Sequence, residues 1–321
     1  MTETIRYEVD GDGIALLTID LPNANMNVFN AQLIEDLDAC VDKVLADDNV
    51  KGAVITSGKD AFLAGADLNM LGSQEADQTP EQAFEAAFRL NKIFRKLETG
   101  DKDRKVLMKE GTKPFAAAVN GLALGGGFEL VLACHYRVIT DSPKMQLGFP
   151  EVQVGLLPGA GGTQRLPRLT GIQAAAQAIS TGKPYNGQVA IGLGIVQEMA
   201  PTDQVVEKAK EWVKKSPSAL APWDKKGFKY PGGAGAMNPA AVQTFIGANA
   251  MAQKQTQHNY PAVEAILSCL YEGGVVDFDT AIRIESKYFM KLLAGPVAPN
   301  MIRSLFINKQ AVEKGSLRPQ G

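Results

Sequence analysis

Histidine, cysteine and tryptophan are scarce in this 321-residue chain, numbering two, three and two. Cys40, Cys134 and Cys269 stand too far apart for a CxxC zinc site or a disulfide framework, so a reducing cytoplasm is the expected compartment. No metal site is expected. His135 reads as a helix-face histidine, and His258 has no chemistry attached to it. Excess charge is also missing: 33 basic residues against 35 acidic ones leave a net charge of -2, which gives no drive for sequence-independent nucleic-acid binding and no acidic tail. The first eight residues carry early acids and no apolar run, so no secretory signal is expected. No GxGxxG occurs, which removes the nicotinamide fingerprint, and there is no internal repeat. One stretch, Phe115 to Cys134, is long enough to span a bilayer but contains Asn120, Glu129 and several glycines. A carboxylate at the centre of a span would cost about 3 kcal/mol, so the stretch reads as a strand, a glycine turn and a buried helix, and no integral membrane segment is expected.

What is present is a globular composition, 45% hydrophobic and 21% charged, long enough for two ordinary domains or one with an appendage. Ile14 to Ile19, bounded by Gly11-Asp-Gly13 and Pro22, suits a buried strand. A helix follows, opened by Asn30 as N-cap, with Leu33, Ile34, Leu37, Val41 and Val44 at helical spacing. Gly52 to Thr56 is the next strand, residues 81–98 form an amphipathic helix, and Phe115 to Val119 is a further strand. Repeated strand–helix units argue an α/β class fold. After about residue 200 the pattern changes. Lysines, prolines and glycines from Lys214 to Gly235 have a linker composition, and residues 240–315 read as helices with breaks at Gly273-Gly274 and Gly295-Pro296. The expected organisation is a domain over 1–200, a linker over 201–240 and a helical extension over 241–321 that packs on the first domain. Trp223 is expected to anchor the linker.

The 32 glycines cluster. In Asn120-Gly-Leu-Ala-Leu-Gly-Gly-Gly-Phe-Glu129, three glycines between a strand and a helix give access to main-chain N–H groups at a helix N-terminus, where an anion is favoured; tight strand–helix packing is the other reading. Glu129 follows among Phe128, Leu130, Val131 and Leu132, and a carboxylate in apolar company points to a working acid or base. A second cluster, Leu147 to Leu166, holds Glu151 in an apolar, glycine-rich setting 22 residues further on. Two such carboxylates suggest a general acid/base pair. Ala61-Phe-Leu-Ala-Gly-Ala-Asp67, after the strand at 52, offers a third turn with free N–H groups.

AFLAGADL, NGLALGGGFEL and LGFPEVQVGLLPGAGGTQRLPRLTG, in this order, resemble the crotonase (enoyl-CoA hydratase/isomerase) superfamily. The resemblance implies a crotonase-like (ββα) superhelix over roughly residues 1–200. PWDKKGFKYPGG and HNYPAVEAI resemble the region beyond the hydratase domain in multifunctional fatty-acid oxidation complex α subunits, so the chain reads as the hydratase half without the 3-hydroxyacyl-CoA dehydrogenase part.

By that resemblance the backbone N–H groups of Ala66 and Gly126 form an oxyanion hole for a thioester carbonyl. Glu129 takes the proton of the water that attacks C3, and Glu151 exchanges a proton at C2. Ala64, Gly65, Asp67, Leu68, Gly125 and Gly127 surround coenzyme A or the acyl thioester, with Asp67 tying down its loop or serving as a surface turn residue. Lys59 is a candidate for the phosphates, and residues 68–112, with Met70, Leu71 and Met108, for the acyl pocket. The implied reaction is hydration of trans-2-enoyl-CoA to (3S)-3-hydroxyacyl-CoA in fatty-acid β-oxidation, with no cofactor beyond the acyl-CoA substrate and with Δ3–Δ2-enoyl-CoA isomerisation as a side activity. Two alternatives stand beside it: another crotonase reaction, such as isomerisation or thioester hydrolysis, and a non-catalytic CoA-binding scaffold that docks a thiolase subunit. A monomer or dimer is expected.

Overall fold

Strand and helix alternate along the chain in a computed structural model, which describes residues 3–68, 70, 79–235, 237–313 and 315. The first elements are β1 (Ile5–Val9), β2 (Ile14–Ile19), α1 (Ala31–Ala46), β3 (Gly52–Ser57), α2 (Pro80–Thr99) and α3 (Arg104–Glu110). The middle of the chain supplies β4 (Phe115–Val119), β5 (Ala123–Leu124), α4 (Gly126–Ala133), β6 (Tyr136–Thr140) and β7 (Leu147–Gly148). A short 3₁₀ turn, Pro150–Val154, leads to α5 (Gly162–Thr170), α6 (Ile172–Thr181), α7 (Gly187–Gly192) and β8 (Glu198–Ala200). The remainder is helical: α8 (Val205–Lys215), α9 (Pro239–Thr256), α10 (Pro261–Gly273) and α11 (Phe278–Ala294), followed by shorter turns of helix to Glu313. Asn30 caps α1 as expected, its side chain accepting from the Leu33 N–H at 2.8 Å.

The main sheet has six strands in the order β1-β2-β3-β4-β6-β8, antiparallel between β1 and β2 and parallel from there on. Its central strands are apolar on both sides because both faces are covered. Alternation divides them: Ile14, Val54, Ala116, Ala118 and Val138 meet Val205, Ala209 and Val213 of α8. Leu17, Ala53, Ile55, Ala117 and Ile139 face the opposite way into the main core. The expected linker therefore begins with a helix. Its apolar residues recur every four positions between lysines, and they close one face of the sheet; Trp212 on α8 also stacks on Tyr136 of β6, ring centroids 4.7 Å apart.

The C-terminal helices complete the main core. Ala262, Ile266, Leu267 and Leu270 of α10, Phe289 and Leu292 of α11, and Ile302 beyond them are buried in the same cluster as the strands and α1. Trp223 stacks on Phe278 at the start of α11, 5.1 Å between centroids, and belongs to a small cluster with Phe88 of α2. Among the described residues no helix is long and apolar enough to cross a membrane, and no disulfide forms, the three cysteines being buried thiols.

An ionic network ties these layers together. Arg165 of α5 and Glu98 of α2 are both fully buried and pair at 2.7 Å, while a second guanidinium nitrogen of Arg165 donates to the Ala160 carbonyl at 2.8 Å. Arg95 binds both oxygens of Asp224 at 2.6 Å and reaches Asp279 in the first turn of α11. Burial of a pair is offset only while both partners remain, and removing one leaves an uncompensated charge that costs about 3–5 kcal/mol. Glu98→Gln is therefore expected to lower the urea midpoint by an amount equivalent to about 3 kcal/mol, read from equilibrium unfolding at pH 7; a shift below a few tenths of that would remove the network from the fold's supports.

Candidate functional site

Beneath the main sheet the chain makes a second, smaller set of parallel pairings. Leu63 bridges Ala123 on β5, and β5 pairs with β7. On the other side Phe29 donates to the Gly65 carbonyl at 2.8 Å and accepts from the Asp67 N–H at 3.0 Å, while the Ala64 N–H is spent on Asn27. These pairings lay the turn at Gly65-Ala66 beside the turn at Gly125-Gly126. A Cβ added to Gly65, whose φ is +97°, would sit 4.0 Å from the Gly126 nitrogen, and one added to Gly125, whose φ is +54°, would sit 3.3 Å from the Gly65 Cα. Both glycines hold left-handed backbone that other residues rarely adopt. Among the described residues neither the Ala66 N–H nor the Gly126 N–H has a backbone acceptor. Gly127 serves packing: its Cβ position falls 2.3 Å from the Leu63 carbonyl oxygen.

The two singled-out carboxylates reach this pair of turns from different elements. Glu129, in the first turn of α4, is buried, and its Oε1 accepts from the N–H groups of Ala160 and Gly162 at 2.7 Å each. Its Oε2 lies 3.9 Å from where a Gly126 Cβ would be. Glu151 sits in the 3₁₀ turn after β7, and its Oε1 is 2.7 Å from the Cβ position of Gly125, which leaves room there only for glycine. As a residue Glu151 is half-buried, yet its Oε2 is buried without a hydrogen-bond partner among the described residues.

Burial and mutual repulsion shape the protonation of both acids. Desolvation, followed by the charges of Glu285 and Glu151, holds the Glu129 carboxyl well above the usual range, against the opposing pull of its two N–H donors. Desolvation, with a further push from Glu285, raises Glu151 to about 8. Such a set titrates as a unit, so near neutral pH the pair of Glu129 and Glu151 is suited to carrying a shared proton: one acid and one base.

Glu285 itself was not visible from the glycine motifs. It comes from α11, is fully buried, and accepts from the N–H groups of Gly161 at 2.6 Å and Thr163 at 2.9 Å. The signal available in the sequence was its place on the apolar stripe of α11, between Ile282 and Phe289.

Other singled-out residues fall as follows. Leu68 is half-buried and packs against the core. Lys59 is paired with Asp20 at 3.0 Å, which gives its charge a partner within the chain. His135 lies between α4 and β6 rather than on a helix: its Nδ1 accepts from the Phe115 N–H at 3.2 Å, its Nε2 meets the Glu98 carbonyl at 3.2 Å, and burial lowers it to about 4. It is a neutral structural group. His258 pairs with Glu264 on the surface. Met70 and Met108 are exposed, and Leu71 lies outside the described residues. Among the described residues no group of three acidic, histidine or cysteine side chains is placed to hold a metal ion.

The raised Glu151 has a consequence for stability. A carboxyl with an ordinary value of 4.5 that stands near 8 in the folded chain binds its proton more tightly when folded. Its contribution to stability is complete below about 4.5 and is lost as pH rises through about 8. Glu151→Gln, neutral throughout, is expected to unfold at higher urea than the parent at pH 9, with the gap narrowing as pH falls below about 8 and closing only near 4.5. A gap independent of pH, or of opposite sign at pH 9, would show that Glu151 is not held protonated.

Residues 10–226 match the sequence profile of the enoyl-CoA hydratase/isomerase family. A fatty acid oxidation complex subunit alpha from Shewanella amazonensis is 37% identical over 98% of this chain, and the alignment spans 42% of that protein; the chain thus covers less than half the length of such relatives. Among solved structures, DspI of Pseudomonas aeruginosa is 32% identical, covering 67% of this chain and 82% of its own, with a TM-score of 0.56. An enoyl-CoA hydratase/isomerase from Pseudoalteromonas atlantica, 19% identical, shares the fold over 95% of this chain and 97% of its own, with a TM-score of 0.63. The two glycine turns, the buried carboxylates and the matched profile fall within one crotonase-like α/β fold, and the chain belongs to the enoyl-CoA hydratase/isomerase family.

Proposed function

We propose that this site adds water across the double bond of a trans-2-enoyl thioester of coenzyme A, giving the (3S)-3-hydroxyacyl-CoA. The observation that carries the reading is the meeting of two unlike carboxylates at one pair of turns where, among the described residues, the Ala66 and Gly126 N–H groups have no backbone acceptor. Glu129 is anchored through one oxygen and Glu151 has a buried oxygen with no hydrogen-bond partner among the described residues.

The chemistry follows from that placement. The thioester oxygen accepts from Ala66 and Gly126, where the charge of an enolate would develop; a fixed donor at such a position is worth about 3–4 kcal/mol in the transition state. Water held by the ionised Glu129 attacks C3 and gives its proton to that carboxylate. The C2–C3 π pair moves toward the thioester, and the protonated Glu151 delivers its proton to C2. The site ends with its proton on Glu129 in place of Glu151, and exchange with solvent restores it. The same Glu151, when ionised, would take a proton from C2 of a 3-enoyl thioester and return it to C4, moving the double bond to the 2-position, so isomerisation is proposed as a side activity. No cofactor other than the coenzyme A of the substrate has a part in these steps.

Gly65 and Gly125 let the thioester approach the backbone, and the stretch Ala64–Leu68 is where the coenzyme A moiety is proposed to lie. The names of the Shewanella relatives support a place in fatty-acid oxidation. The apolar faces of α10 and α11 are largely spent on the core, while Ile246, Met251, Leu305 and Phe306 of the same C-terminal stretch are exposed; the two site carboxylates favour catalysis over a non-catalytic scaffold. The three buried cysteine thiols suit a reducing cytoplasm.

The purified chain is expected to remove the conjugated enoyl-thioester absorbance of crotonyl-CoA or a longer 2-enoyl-CoA. Glu129→Gln and Glu151→Gln should each keep the fold and lower kcat by about 10²–10⁴-fold. Near-wild-type hydration by both variants would sink the assignment. Binding of acyl-CoA with no turnover of any enoyl-CoA would favour the scaffold.

A further inference from the structure

We propose that Glu285 of α11 is a positioning residue for Glu129, holding the backbone of residues 160–163 from the side opposite the catalytic carboxylate. The proposal rests on the hydratase reading above. Four successive N–H groups alternate between the two acids: Ala160 and Gly162 donate to Glu129, Gly161 and Thr163 to Glu285. The Thr163 hydroxyl adds a third bond to Glu285 at 2.6 Å. These N–H groups open α5, where donors have no partner within the helix and the macrodipole favours negative charge. Two carboxylates from distant parts of the chain thereby satisfy them all. Gly161, at φ +97°, makes the twist that sends neighbouring N–H groups in opposite directions.

This arrangement constrains Glu129 through the backbone. Its Oε1 is aimed by two N–H groups whose direction depends on the intervening Gly161 and the following Thr163 being held from behind. If Glu285 no longer accepts, two buried donors lose their partner, and the segment is free to rotate together with the carboxylate bonded to it. The surroundings argue against a purely stabilising role. Among the described residues Glu285 forms no ion pair, and the nearest guanidinium, that of Arg165, is already committed to Glu98 and the Ala160 carbonyl. The titratable and charged groups facing Glu285 are Glu129 from α4, Glu151 from the turn after β7, Arg165 from α5 and Cys269 from α10. Its negative charge raises both catalytic acids, and burial raises Glu285 itself to about 7. Removing that charge should therefore move both limbs of the pH–rate profile toward lower pH.

The test uses the full chain and begins with wild type and Glu129→Gln on crotonyl-CoA. An inert wild type defeats the hydratase reading, and the Glu285 proposal is then judged by the second readout alone. In an active enzyme, Glu285→Gln is expected to lower kcat about 10- to 100-fold, leave KM within about twofold, and shift both limbs to lower pH. The second readout is the pH titration of ¹³C-labelled glutamate carboxyls by NMR, in which the Glu129 resonance, assigned from its loss in Glu129→Gln, should titrate lower in Glu285→Gln. A merely structural Glu285 would lower the urea midpoint and leave the profile and the Glu129 titration in place, and that result overturns the proposal. Should Glu285→Gln fail to fold, Thr163→Val keeps the N–H and the shape but removes one donor to Glu285. It should shift both limbs the same way by less, and an unmoved profile with unchanged kcat overturns the proposal equally.

Discussion

Backbone N–H groups at the start of α5 meet buried carboxylates in the interaction on which most of the site depends. Burying a carboxylate away from water is costly unless donors replace its hydration. Here the donors are main-chain groups that α5 cannot use internally, so each partner relieves a cost of the other. The solution requires α4, α5 and α11 to be mutually fixed, because the two acids come from residues 129 and 285 and grip the same four residues. Asn91 of α2 joins the same assembly by donating to the Gly159 carbonyl and to the Ser286 hydroxyl.

That fixation explains the buried ionic layer behind the loop. Arg165 is the second donor-rich group of α5, and its hydrogen bonds go to Glu98 and the Ala160 carbonyl, while its charge is also felt by Glu285. No hydrogen bond or ion pair joins it to Glu129 among the described residues. If Arg165 faced Glu129 instead, the attraction would draw that acid down to an ordinary value and remove the proton-sharing that unlike carboxylates need. Main-chain N–H groups orient the acid without a full positive charge.

Much of this was legible in the sequence because it depends on local pattern. The strands around Leu17, Ile55 and Ala117 are apolar runs bounded by turns, and the three glycine-rich motifs mark the turns of the site by residue type alone. Glu129 and Glu151 stand out because a charge interrupts an apolar run. Glu285 shows the limit of that signal. It too breaks an apolar stripe, but one spread at helical spacing among lysines and an arginine, and its partners lie more than 120 positions away. The same masking hid α8, whose Val205, Ala209 and Val213 are diluted by lysines that face solvent. Lys59 and His135 were read by chemistry type, while what they do was decided by neighbours: Asp20 for one, two backbone groups for the other. Residues of the C-terminal stretch from Phe245 to Ile302 are buried in the same cluster as the first stretch, while Val205, Ala209 and Val213 of the middle stretch form a separate cluster with the sheet.

The two tryptophans give this architecture an optical handle. Trp212 is stacked on Tyr136 where α8 covers the sheet, and Trp223 on Phe278 where the C-terminal layer begins. Each indole marks a different seam, and no third one blurs the signal. Replacing either by phenylalanine leaves a single indole, so fluorescence excited beyond the absorption of the seven tyrosines separates the docking of α8 from the docking of α11 without any added label.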